Sequence, residues 1–222
     1  MKRCSVLVLV VVTLLAVMAL SPAAAVSGDV HYITRVLARG ASIHGANGIT
    51  IDAAGRAYIA SVLGREIVVL DTRTGRILDR YGVDDGTNGG DDVALGPDGS
   101  LYWTDIMEGY VWRMAPDGAM TSQWVAPWVN PITFTDDGRL FVGQAFFGDG
   151  LYELDPDLAS PPVLVWSGSG VPGFPEQLNG FDFGPDGWLY APQPFLGRIV
   201  RIDVGTGDLE VVTSGLDWPC AV

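Results

Sequence analysis

Beyond Lys2 this chain of 222 residues contains no lysine. It also has only two cysteines, two histidines and one long apolar run. Beyond Lys2 no lysine side chain is there to form a Schiff base. The 11 arginines beyond Arg3 stand against 26 acidic residues, which leaves residues 26–222 with a net charge of −15. Nucleic-acid binding rests on cationic contacts to phosphate, so this balance argues against it. Most of the acidity keeps the surface soluble, and an acidic cleft would attract cations. The cysteines are Cys4 and Cys220, too few for a zinc site of Cys/His spacing. No Gly-x-Ser-x-Gly elbow is present either.

The single apolar run, Val6 to Leu20, follows Lys2 and Arg3 and precedes Pro22 and Ala23-Ala24-Ala25. A charged start, an apolar stretch and small residues at the end read as a secretory signal cleaved after Ala25. An uncleaved anchor is the alternative, but the run is short of the ~20 residues that span a bilayer. The sequence therefore predicts a leader over 1–25 and one domain over 26–222. The product is expected to be secreted or periplasmic, with no membrane association after cleavage. Cys220 would then be the sole cysteine, so no intrachain disulfide can form.

What the chain does have is a repeat. Asn47-Gly-Ile-Thr-Ile-Asp-Ala-Ala-Gly55 is followed by Asp91-Asp-Val-Ala-Leu-Gly-Pro-Asp-Gly99, Asn130-Pro-Ile-Thr-Phe-Thr-Asp-Asp-Gly138 and Asn179-Gly-Phe-Asp-Phe-Gly-Pro-Asp-Gly187. The starts lie 44, 39 and 49 residues apart. After each closing glycine comes an apolar-aromatic pair: Ala57-Tyr58, Leu101-Tyr102, Leu140-Phe141, Leu189-Tyr190. A period of about 40–50 residues built from short strands is that of a propeller blade. The glycine supplies the positive φ of a tight hairpin. Each unit reads as a four-stranded meander, with third strands at Glu66 to Leu70, Tyr110 to Met114, Leu151 to Leu154 and Arg198 to Ile202. The predicted class is all-β, a β-propeller of four-stranded blades, six when the ring is complete. About four and a half blades fall in this chain, the fifth starting at Asp217 and the domain ending truncated at Val222. An eight-stranded barrel or a sandwich does not call for this fixed spacing.

In a propeller the loop leading into a first strand and the loop between second and third strands emerge on one face. Asn47, Asp91, Asn130 and Asn179 should therefore ring one mouth of the channel, with Asp92 beside them. Asp105, Gln144 and Gln193 join that face, and Phe146 and Phe195 could wall a substrate pocket above it. Convergent amide and carboxylate oxygens suit a hard cation, calcium above all. The same residues before a strand could simply cap turns. His44, three residues before Asn47, is the one histidine placed to serve as a base. Trp103, Trp112 and Trp188 read as packing between blades.

With these residues laid out, the chain resembles the gluconolactonase and senescence-marker-protein superfamily of six-bladed propellers, whose architecture paraoxonases and strictosidine synthase share. The resemblance covers residues 26–222 and is carried by Asn47-Gly48-Ile49, Asp91-Asp92-Val93, Asn179-Gly180-Phe181 and the Pro-Asp-Gly turns. It implies a divalent cation at the channel mouth, held by Asn47, Asp91, Asn130 and Asn179, and hydrolysis of sugar lactones or related esters. Asp91 stands where that superfamily often has Asn, and its glutamate ligand has no counterpart at these positions. The blades also resemble NHL-type and virginiamycin-lyase-like propellers, which share turns without sharing chemistry. The expected function is a calcium-dependent lactonase or esterase with Asp92, or else His44, handling protons. The other reading is a non-catalytic propeller binding a sugar or a protein partner. A lyase would need a better-placed base.

Overall fold

The computed structural model describes Val36, 43–168 and 176–222. The leader at 1–25 and His31 lie outside these residues. The described residues belong to one compact unit, 36–222.

Four antiparallel four-stranded sheets follow one another along the chain. The first holds β1 (Ala46–Ile51), β2 (Arg56–Ser61), β3 (Glu66–Asp71) and β4 (Ile77–Tyr81). The second holds β5 (Gly90–Leu95), β6 (Leu101–Asp105), β7 (Tyr110–Met114) and β8 (Met120–Trp124). In the third are β9 (Val129–Phe134), β10 (Leu140–Gln144), β11 (Gly150–Leu154) and β12 (Val163–Ser167). The fourth comprises β13 (Asp182–Phe183), β14 (Leu189–Gln193), β15 (Arg198–Ile202) and β16 (Leu209–Ser214). Each repeat unit is thus one sheet, strands paired in chain order. The glycines that close the first hairpins, Gly55, Gly99, Gly138 and Gly187, all have φ between 79° and 88°. That is the left-handed region, which a side chain enters only with strain.

The sheets pack face to face, and the core lies between them. Tyr58, Ile67 and Val69 of the first meet Val93, Leu101 and Trp103 of the second. Tyr102 and Val111 meet Val129, Ile132, Leu140 and Val142 of the third. Phe141 and Leu151 meet Leu189, Ala191, Val200 and Ile202 of the fourth. Alternate residues of the middle strands serve the two faces, so those strands read as nearly continuous apolar runs. Trp103 is fully buried and stacks on Trp112 with centroids 6.2 Å apart. Trp188 instead lies under the Arg201 guanidinium, 4.5 Å from its ring centroid, as a cation–π cover rather than packing between sheets. The first strands neighbour one another in order, β1 beside β5, β5 beside β9 and β9 beside β13, and so line a common space.

Candidate functional site at the channel mouth

The polar start of the first three repeats sits on a β-bulge. Pairing of β1 with β2 slips between Ala46 and Ile49, that of β5 with β6 between Gly90 and Val93, and that of β9 with β10 between Gln144 and Val142, opposite Asn130-Pro131. A bulge leaves one residue without a ladder partner and re-aims its side chain. Pro131, lacking an N–H, fits a bulge without loss. The repeat therefore delivers Asn47, Asp91-Asp92 and Asn130 to the same place in three blades.

A belt of hydrogen bonds joins them across the blades. Asn47 Nδ2 donates to Asp91 Oδ1 at 2.7 Å. The Asp92 N–H donates to Thr104 Oγ1 at 3.1 Å, and that hydroxyl donates to the Asn130 carbonyl at 2.7 Å. Asn130 Nδ2 reaches Asn179 Oδ1 at 3.3 Å. Asp92 also clasps the neighbouring blade, its Oδ2 accepting from the Ile132 N–H at 3.0 Å and its Oδ1 from the Val93 N–H at 2.9 Å. Asp92→Ala deprives the Ile132 N–H of its partner, so a loss of about 2 kcal/mol in unfolding free energy is expected in urea titration; an unchanged midpoint would exclude the clasp.

The belt borders a cavity of about 710 Å³ whose wall includes Asn47, Asp92, Asn130, Asn179 and Asp182. Asp182 is a site residue that reading the sequence passed over. It accepts from Thr133 Oγ1 at 2.8 Å. A signal existed: the residue three positions after each repeat start, Thr50, Ala94, Thr133 or Asp182, borders the cavity in every blade. Cys220, Ala221 and Val222 border it too, and the Val222 N–H bonds the Gly180 carbonyl at 3.0 Å.

Asp91 is buried behind Asn47, and its Oδ2 has no hydrogen-bond partner. Burial, then the charge of Asp92, pushes its carboxyl up to about 7. Asp92 is pushed up to about 6 by burial, against the two N–H groups that favour its charged form. Two buried carboxylates side by side resist double ionisation unless a cation joins them. The Asn47 and Asn130 amides donate through nitrogen, which leaves their carbonyl oxygens for such a cation. The donor set is all oxygen, as calcium prefers. No group of three or more His, Cys, Asp or Glu is gathered among the described residues, so neutral amides must supply part of any metal site.

The remaining candidates do not border this cavity. Asp105 is fully buried and its Oδ1 closes its own loop, accepting from the Met107 and Glu108 N–H groups at 3.0 and 3.1 Å. Gln144 bonds the Pro127 carbonyl and the Gly150 N–H. Gln193 bonds the Glu176 carbonyl and the Arg198 guanidinium. All three end the second strand of a blade and fasten the loop that follows. Phe146 and Phe195 are exposed on those loops, each edge-on to a tryptophan, Trp128 and Trp218 respectively. His44 is exposed, and its backbone carbonyl accepts from the Gly64 N–H.

Solved structures with the same arrangement of sheets decide the architecture. Virginiamycin B lyase from Staphylococcus aureus superposes with a TM-score of 0.63 at 16% identity over 77% of this chain and 56% of its own. The chain is a β-propeller. A protein assigned to the gluconolactonases matches with a TM-score of 0.62 at 18% identity, over 78% of this chain and 65% of its own. Regucalcin from Agrobacterium tumefaciens, a calcium-binding protein, matches with 0.55 at 19%, over 76% and 59%. This propeller chain thus spans less than two thirds of the length of these structures. At such identities the likeness carries the fold alone. No protein-family profile matches the sequence, and no curated protein matches it.

Proposed function

We propose that the channel mouth holds calcium and that the chain belongs to an exported hydrolase of lactones or related esters. The observation that carries this reading is the buried Asp91 Oδ2, unpartnered beside Asn47. A buried carboxylate oxygen without a donor is costly, and a cation removes that cost. Asn47, Asp91, Asn130 and Asn179 would hold the ion through carbonyl and carboxylate oxygens. When bound, calcium supplies Lewis acidity that polarises a substrate carbonyl. Asp92 takes the proton of the attacking water. Its carboxyl, raised to about 6, is poised closer to neutrality than an ordinary aspartate. The two backbone N–H groups on Asp92 fix its orientation toward the cavity wall.

Calorimetric calcium titration tests this on the wild-type chain with Asp91→Asn and Asn179→Ala beside it. The expected result is one calcium per chain, weakened at least about tenfold in each variant, since each removes one oxygen ligand or its charge. No calcium heat in the wild type would overturn the metal reading. Calcium binding without turnover across a lactone and ester panel would leave the metal and remove the hydrolase.

A further inference from the structure

The loops between second and third strands end in exposed apolar side chains in every blade: Leu63, Met107, Phe147 and Leu196. The third blade concentrates them. Trp128 lies edge-on to Phe146, with centroids 6.1 Å apart and rings at 75°. It is also edge-on to Phe147, at 5.6 Å and 66°. Phe147 is 79% exposed.

Two of these three residues are held in a backbone conformation that aromatic side chains avoid. Trp128 has φ of 64° and Phe146 of 54°. Glycine holds the position of Trp128 in the first blade, Gly45 at φ of 64°, while Arg65 in that blade's loop shares the left-handed region at 54°. The strain persists because the loop is overdetermined. The Ala145 N–H bonds the Trp128 carbonyl at 2.9 Å, the Gly148 N–H bonds the Ala145 carbonyl at 3.2 Å, and the Phe146 N–H bonds Gln177 Oε1.

The charge around the cluster selects the ligand. Between residues 125 and 155 the one basic residue is Arg139, bonded to Glu153 at 2.7 Å beside the hairpin turn at the other end of the blade. Asp149 lies in the same loop as the phenylalanines. Across the loop, Arg198 is paired with Glu176 at 3.4 Å, next to Gln177, so among the described residues Asp149 stands beside the rings uncompensated, and perpendicular ring faces there attract an organic cation through the ring quadrupole.

We propose that Trp128, Phe146 and Phe147 form a binding site for a quaternary or alkylated ammonium group, separate from the channel-mouth carboxylates. Choline and its neutral isostere 3,3-dimethylbutan-1-ol, titrated by calorimetry into the full chain, decide the matter. Choline is expected to bind at least about tenfold more tightly than the isostere, the range of a desolvated cation–π contact. Phe147→Ala and Trp128→Gly should each weaken choline about fivefold or more, with the melting temperature within about 3 °C of wild type. A trimethyllysine peptide run alongside tells a side-chain ligand from a free small cation: the tighter of the two is the source. Equal or tighter binding of the isostere, no choline binding, or unchanged choline affinity in both variants would overturn the site. None of these readouts depends on calcium or on turnover.

Discussion

Gly48→Ala is expected to lower the unfolding free energy by about 3 kcal/mol, because no room exists for a side chain where the first blade meets the second. A Cβ on Gly48 would stand 2.5 Å from Asp92 Cα and 2.9 Å from the Asp91 carbonyl oxygen, and would collide with the Asp92 carboxylate. Two of these obstacles are backbone, so a rotamer change cannot relieve them. The inner strand would have to move away from its neighbour, and with it Asn47, whose amide holds Asp91. The same substitution should therefore weaken calcium binding as well as stability. Gly118→Ala supplies the control. Its φ is 86° and a Cβ there meets nothing, so strain alone acts, costing about 1 kcal/mol. Urea melts of the two variants separate crowding from strain. Equal losses would mean that the first two blades are not in this close register.

That close approach explains which parts of the molecule were legible from residues alone. The blades were, because their signals are local. Turn glycines fix hairpins, and apolar alternation fixes the strands between them. Third strands expected at Tyr110 to Met114 and Arg198 to Ile202 match β7 and β15 residue for residue. The outer strand Val163–Ser167 carried no such signal. It follows Ser160-Pro161-Pro162 instead of a glycine turn, so the residue pattern alone gives no strand there. At the channel mouth the repeat marks the strand ends that border the cavity but not what aims their side chains. A bulge depends on the register of two strands, and register is a property of the pair. Likewise Gln144 and Gln193 share a face with the mouth, yet their amides turn away to tie the segments leading into their blades, at Pro127 and Glu176, to the loops that follow them. Face can be inferred from topology, whereas side-chain direction follows from hydrogen bonds that only the folded loop offers. Asp182 shows the converse, a position the repeat did mark.

Without calcium, the melting temperature is expected to fall as pH rises from about 5 to 8. The folded carboxyls of Asp91 and Asp92 stand at about 7 and about 6, against an ordinary 3.8. Between those values the folded protein retains protons that the unfolded chain has lost. The stability these groups contribute is thus complete below the unfolded value and disappears as pH rises through 6 and 7. Each unit of displacement corresponds to about 1.4 kcal/mol, which makes the whole loss on the order of several kcal/mol. Carboxylates with ordinary titration have finished by about pH 5.5 and add nothing to the slope. Asp91→Asn isolates the contribution of this carboxyl. That variant should lose the part of the slope above about pH 6, because residue 91 can no longer charge, and keep the part that burial and Asp182 impose on Asp92. Calcium acts in the opposite direction. A cation beside Asp91 favours the charged form, so saturating calcium should flatten the fall, and calcium affinity should itself rise with pH through the same window. A flat melting profile from pH 5 to 8 in the metal-free wild type would mean that Asp91 and Asp92 are solvated enough to ionise freely. The strongest reason to place a cation between the first and second blades would then be gone.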